Sequence, residues 1–173
     1  STPPDGWVGK VWALNQGSID ITTQYILLID ADIEYERSTL EVIFKKTYSE
    51  KLQLTSVMAL LKTETRWDKM MIPAFIYFFK TLYPFELSNS PECKSIAAAG
   101  GGFILLETSA LWNIGGFSAL KNALIDDCAL SKLVKKSGGK TWIGLSQGIR
   151  TKRGYNSLSN IWSMVERTAF TQL

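Results

Sequence analysis

The run Tyr25-Ile-Leu-Leu-Ile-Asp30-Ala-Asp32 leaves this chain few choices of fold. Five largely apolar residues in succession predict a buried strand, of the kind found inside a mostly parallel sheet. Two aspartates one residue apart follow at once. Open α/β sheets bind ligands outside the carboxyl ends of their strands. Two carboxylates therefore lie where a ligand is expected. Hard carboxylate oxygens suit Mg²⁺ or Mn²⁺, and Mg²⁺ is commonly held by one or two carboxylates together with substrate phosphates. Taken alone, the pair reads as a metal-and-phosphate site or as a solvated strand end.

The surrounding pattern alternates helix and strand. Lys10 to Ile19 predicts a short helix with Val11 and Leu14 on one side. After the Asp pair, Ser38 with Glu41 has the spacing of a capping box, and Leu40, Ile43, Phe44 and Tyr48 make an apolar stripe behind it. Leu52 to Leu61 is a strand. This order predicts an α/β fold with a mainly parallel sheet flanked by helices. With 173 residues, the chain is sized for a single domain, 1–173. Further on, Leu87 to Lys94 reads as a polar loop, Phe103 to Leu106 as a strand and Ser109 to Asn113 as a short helix. A helix from Asp126-Asp127 ends in Lys135, Lys136 and Gly138-Gly139, a usual C-terminal signature. Lys140 to Gly144 is a short strand and Leu158 to Phe170 a final amphipathic helix.

Two segments are ambiguous. Thr65 to Tyr83 carries aromatics around most of a helical wheel, so it is either a core helix or an interfacial helix at a membrane or partner surface. Ala97-Ala-Ala-Gly-Gly-Gly102 removes side chains over six residues. Gly100 and Gly101 there admit either a ligand or a tightly packed neighbour close to the backbone.

Composition excludes much chemistry. The chain has no histidine. A Ser-His-Asp or Cys-His nucleophile and an H-E-x-x-H zinc site are therefore impossible. Proton transfer falls to Asp, Glu, Lys, Tyr or Cys, and the pair Asp126-Asp127 is the natural candidate for a general base. The net charge of +3, without a basic block, gives no nucleic-acid footprint. Cys93 and Cys128 form neither a zinc pattern nor a disulfide framework. There is no G-x-x-x-x-G-K-[ST] loop. Met70 to Phe79 is well short of the roughly 20 residues that span a bilayer. The two ends carry no start or stop signal, which reads as a piece of something longer.

Four motifs in register resemble glycosyltransferase family 2: Lys10-Val-Trp-Ala-Leu-Asn15-Gln-Gly17, Asp30-Ala-Asp32, Gly115-Gly116-Phe117, and Asp126-Asp127. Ile72-Pro-Ala-Phe, Tyr83-Pro-Phe, Ala97-Ala-Ala-Gly-Gly, Leu124-Ile-Asp-Asp-Cys-Ala-Leu and the stretch from Met164 to Leu173 are similar to the hopene-associated glycosyltransferases of bacterial hopanoid pathways. That resemblance implies a GT-A, Rossmann-like fold, here N-terminally truncated and without flanking membrane helices. It implies inverting transfer from a UDP- or GDP-sugar to a lipid or polyisoprenoid-type hydroxyl. The setting it implies is the cytoplasmic face of the bacterial inner membrane.

Residue by residue, it places Asp30 and Asp32 on Mg²⁺ or Mn²⁺ against the donor diphosphate. Lys10, Asn15 and Arg167 fall on the donor or leaving-group side. Asp127 is the base, with Asp126, Gly100 and Gly101 on the acceptor side. The pattern departs from the family where Met164 and Thr168 occupy a Q/R-x-x-R-W motif. It departs again where Glu107-Thr108 replaces a basic pair, and the family's earlier nucleotide-contacting Asp is missing. Alone, the chain is expected to be inactive. Two other readings compete. A dehalogenase-type phosphatase would need D-x-D-x-[TV], whereas Ile33-Glu34 follow here. The other is a non-catalytic membrane-surface module built on Met70 to Phe85.

Overall fold

The computed structural model describes residues 2–123, 126–155 and 157–172, with side chains up to residue 166. Helix α1 (Gly9–Gly17) leads into strand β1 (Tyr25–Ile29) and a three-residue strand β2 (Ile33–Tyr35). Helix α2 (Arg37–Ser49) and strand β3 (Leu54–Lys62) follow. Helices α3 (Arg66–Leu82) and α4 (Phe85–Asn89) come next, then β4 (Phe103–Glu107) and α5 (Thr108–Asn113). A 3-10 turn (Phe117–Leu120), α6 (Asp126–Lys136), β5 (Thr141–Gly154) and α7 (Leu158–Gln172) complete the order. Among the described residues no helix is long and apolar enough to cross a membrane.

The five strands form one sheet in the order β1-β4-β3-β5-β2. It is mixed, and the expectation of a mainly parallel sheet needs correcting. Only β3 and β5 pair in parallel; β1–β4, β3–β4 and β2–β5 are antiparallel. The helix–strand alternation does send β1, β3 and β5 the same way. Strand β4, however, enters from the Ala/Gly-rich segment and slots between β1 and β3 in the opposite sense. That insertion separates two strands that would otherwise be parallel neighbours. The Rossmann-like label therefore exceeds what this sheet supports.

Strand β4 explains why the sheet is covered on both sides. Its side chains alternate faces. Ile104 and Leu106 join Val11, Leu111, Phe117, Leu130 and Val134 under α1, α5 and α6. Phe103 and Leu105 join Ile33, Ile43, Val57 and Ile149 under α2. A central strand buried on both faces reads as a continuous apolar run, as Phe103-Ile-Leu-Leu does.

Three local expectations shift. Helix α2 begins two residues ahead of the Ser38 cap, with Glu36 as N-cap and no side-chain capping bond. The Glu36 N–H is held by the Gly148 carbonyl of β5 at 3.0 Å, which fixes the start from outside the helix. The buried face of α2 is Ile43 and Thr47; Phe44 and Tyr48 stay exposed and stack on each other. The capping box belongs to α3. There the Thr65 hydroxyl accepts from the Asp68 N–H at 3.1 Å, and Asp68 Oδ2 accepts from the Thr65 and Glu64 N–H groups at 2.9 and 3.1 Å. Those backbone bonds from Thr65 and Glu64 hold the Asp68 carboxyl below the usual range. The segment read as a polar loop after Leu87 begins as part of α4. The last strand runs on to Gly154, because β5 pairs first with β3 and then with β2 as well.

Helix α3 packs into the core along one side only. Ile72 and Phe79 are buried, and Ile72 packs with Ile161 and Met164 of α7. Trp67, Met70, Tyr77 and Phe78 are exposed. At 3.6 residues per turn these four fall on one side of the helix, apart from the buried side.

Candidate active site

Three elements bring charge together at one end of the sheet. Lys10 and Leu14, one helical turn apart on α1, border a small pocket, while Val11 between them enters the core. Strand β1 delivers Asp30 at its carboxyl end. Helix α6 delivers Asp126 and Asp127 in its first turn. The pocket is lined by these side chains with Gly101, over an apolar floor that includes Leu28, Phe117 and Leu130. Phe117 reaches that floor because Gly115 and Gly116 both adopt positive φ, +91° and +70°, and turn the chain sharply ahead of it.

The Lys10 ammonium bridges the acids. Its Nζ lies 3.1 Å from Asp126 Oδ2 and 3.4 Å from Asp30 Oδ1. Burial by itself would lower the Lys10 pKa, but Asp126 and Asp30 outweigh it and hold the group raised, hence charged. Asp127 is different. Burial, then the neighbouring charge of Asp126, push its carboxyl up to about 6 against an ordinary 3.8, although the Cys128 N–H and Lys10 pull the other way. Asp127 Oδ1 accepts that N–H at 2.9 Å. Oδ2 lies on the Gly101 side, 2.9 Å from where a Cβ on that glycine would stand. The backbone can come this near the carboxylate only at a residue without a side chain. At Gly100 the tight neighbour is instead Met58, 2.8 Å from the equivalent point. One glycine thus serves the site and the next serves packing.

The structure brings Lys10, Asp30, Gly101, Asp126 and Asp127 to one place. It does not bring every predicted residue there. A turn closed by the Ile33 N–H on the Asp30 carbonyl ends β1, and the Asp32 carbonyl accepts from the Lys152 N–H of β5 at 2.7 Å. Asp32 is absent from the pocket lining, as is Asn15, whose carbonyl accepts from Ser18. The side chain of Arg167 lies outside the described residues; its backbone belongs to α7.

Some participants left no trace in the sequence. Ser56, in the middle of β3, both accepts from the Gly100 N–H at 2.7 Å and donates to its carbonyl at 3.1 Å. Burial first, then Asp127, push the Cys128 thiol up to about 12; Tyr83 is also raised by burial and by Cys128. The other cysteine, Cys93, is only half-buried, with Sγ 3.6 Å from the Ser95 hydroxyl, a contact that lowers its pKa.

The donor set bears on metal binding. If all four groups are ionised, three carboxylates outnumber one ammonium by two charges, and Asp30 is 42% exposed. Among the described residues no three His, Cys, Asp or Glu side chains gather closely enough to cage an ion. Such a site fits a hard divalent cation shared between one or two carboxylates and ligand oxygens, and not one enclosed by protein alone.

A glycosyl transferase family 21 model matches residues 3–173. The chain belongs to glycosyl transferase family 21. No curated protein matches it closely enough to add to that assignment. Family 21 is not the family 2 that the motifs resemble; glycosyl transfer is the common ground, and with it a sugar donor and an acceptor. In this family 21 chain the pocket gathers Lys10, Asp30, Asp126 and Asp127.

Proposed function

We propose that this chain is the catalytic core of an inverting glycosyltransferase that moves a sugar from a UDP- or GDP-sugar to a hydroxyl, with Asp127 as the general base. The observation that supports this most is the unequal treatment of the acids in one pocket. Asp30 and Asp126 each form an ion pair with Lys10, while Asp127 is poised near 6. A base works best with a pKa near the operating pH. Asp127 Oδ2 takes the proton of the acceptor hydroxyl. The hydroxyl oxygen forms the new bond to the anomeric carbon as the bond to the diphosphate breaks on the opposite face.

Asp30, with Asp32, would hold Mg²⁺ or Mn²⁺; the ion when bound offsets charge on the departing diphosphate. Lys10 adds a fixed positive charge at the same spot, and Arg167 is carried as a further candidate on that side, with Asn15 toward the nucleotide. Asp126 keeps Lys10 in place.

The acceptor is proposed to be lipid or polyisoprenoid-type, as the likeness to hopene-associated enzymes implies, and the setting a membrane surface. A groove of about 1410 Å³ supports this. Its walls include Met58, Leu60, Ile72, Ile76 and Leu145, and its rim Lys62, Lys80, Arg150 and Lys152. Met58 is also the neighbour of Gly100, so a wall residue of the groove touches the Ala/Gly-rich segment that carries Gly101 to the pocket. The exposed stripe of α3 lies alongside.

The test is calorimetric titration of UDP, GDP and their sugars into the protein with and without Mn²⁺. Metal-dependent binding that Asp30→Asn weakens is expected. Absence of metal-dependent binding to any of these nucleotides would sink the reading.

A further inference from the structure

The segment from Ile96 to Gly101 belongs to no strand, yet its centre is buried. Ala97, Ala98 and Ala99 are at most 3% exposed. Buried backbone groups need partners, and a segment outside the sheet ladder must find them elsewhere. Here side chains supply them. Lys135 Nζ donates to the Ile96 carbonyl at 2.8 Å, the Ser131 hydroxyl to Ala98 at 3.1 Å, and the Cys128 thiol to Ala99 at 3.4 Å. These three donors stand at i, i+3 and i+7, one face of α6, and meet the carbonyls in reverse order. On the far side Ser56 grips Gly100. Lys135, 2% exposed, has no carboxylate partner among the described residues; its other donors go to the Leu87 and Ser88 carbonyls at 3.1 and 2.6 Å.

The same helix carries Asp127 in its first turn. A row of bonds between α6 and the segment therefore fixes how far along the helix Gly101 falls. We propose that Ser131 and Lys135 are positioning residues, which hold the Gly101 backbone against the Asp127 carboxylate by pinning the Ala98 and Ile96 carbonyls to α6. They touch no substrate. Four and eight residues along a helix put them about 6 and 12 Å from Asp127. Misplacement of a reacting group by about 1 Å costs on the order of 10²-fold in rate. The inference rests on the reading of Asp127 as base for its effect on catalysis, but its geometric content is independent of it.

Ser131→Ala is the deciding variant, because loss of three carbonyl bonds in Lys135→Met carries a larger risk to folding. Two quantities are read on the full chain: the ¹³C carboxyl signal of Asp127 with the amide exchange of Gly101, and kcat against KM for transfer from UDP- or GDP-sugar. The proposal expects the Asp127 signal to move and Gly101 exchange to quicken. It also expects kcat to fall about 10- to 100-fold, with donor KM within about twofold. Ser131→Cys, which keeps a donor like that of Cys128, restores most of this. Val134→Ala, a buried truncation on the same helix, lowers the melting temperature without moving the Asp127 signal. A folded Ser131→Ala protein with an unchanged Asp127 signal and unchanged Gly101 exchange overturns the proposal. A wild type inert toward every donor, as expected of this chain alone, leaves the carboxyl signal and Gly101 exchange to decide the proposal, while metal-dependent nucleotide binding decides the transferase reading.

Discussion

The two acidic pairs of this molecule look alike in sequence and are built to opposite ends. Asp30 and Asp32 close a strand, and the turn after β1 admits only Asp30 to the charged pocket. Asp126 and Asp127 open a helix, and both line that pocket. Asp30 is wet and paired with an ammonium, while Asp127 is desolvated and crowded by its own neighbour. An accessible, ionised carboxylate is fit to grip a cation or an ion pair. One with a raised pKa is fit to take and release a proton. Environment, more than residue type, separates the roles.

The strongest test of that division is Asp127→Asn. Removal of a general base should lower kcat about 10²- to 10⁴-fold while metal-dependent nucleotide affinity holds. Equal loss of both would erase the distinction. The same variant has a stability signature. Asp127 in the folded chain titrates at about 6, above its ordinary 3.8. Between those values the folded state holds the proton that the unfolded state has released. Stability therefore falls as pH rises through this window and stays reduced above it. Thermal melts should show Asp127→Asn gaining on the parent at pH 8 and not at pH 3.

Asp30→Asn should act in the other column. Loss of even an outer partner of a metal site costs roughly 10- to 100-fold in affinity, and at least that loss in Mn²⁺-dependent UDP or GDP binding is expected. Asp32→Asn should cost less, since only Asp30 reaches the Lys10 cluster. Calorimetry on the two variants side by side measures how unequal that pair is.

Smaller, opposed shifts would sharpen the picture. Lys10 lowers and Asp126 raises the Asp127 pKa. In pH–rate profiles the acid limb should move up for Lys10→Met and down for Asp126→Asn. Thr65→Ala, in the capping box of α3 far along the chain, should cost about 1 kcal/mol in denaturant unfolding and leave nucleotide binding and the acid limb where they are.

Much of this was legible in the residues. The doubly buried β4 and the amphipathic α6 announce themselves by pattern, and the short list of possible bases follows from the absence of histidine. The apolar run of β1 reads as a buried interior strand, yet β1 stands at the edge of the sheet, paired with β4 alone, half-buried and with Ile29 exposed. Strand direction was not legible. Nothing within Phe103-Ile-Leu-Leu-Glu states whether it enters the sheet from above or below; that is settled by the route of the preceding Ala/Gly-rich segment. The start of α2 is not legible locally, because the N–H of its N-cap, Glu36, is tied to Gly148, more than a hundred residues away. In the site, Lys10, Asp30 and Asp127 could be named from motifs, but the dryness of Asp127 depends on Gly101 arriving from elsewhere. The bonds from Ser56, Ser131 and Lys135 that bring it there have no local sequence signature.

The contrast between the thiols has a practical consequence. Cys128, buried and pushed up to about 12, holds almost no thiolate at pH 8. Cys93, half-buried and held below the ordinary range by the Ser95 hydroxyl, is the better nucleophile. A maleimide dye should therefore attach at one place only, between α4 and β4, with no cysteine removed beforehand. The molecule comes with its own single-site label, mounted on the approach to the segment that carries Gly101.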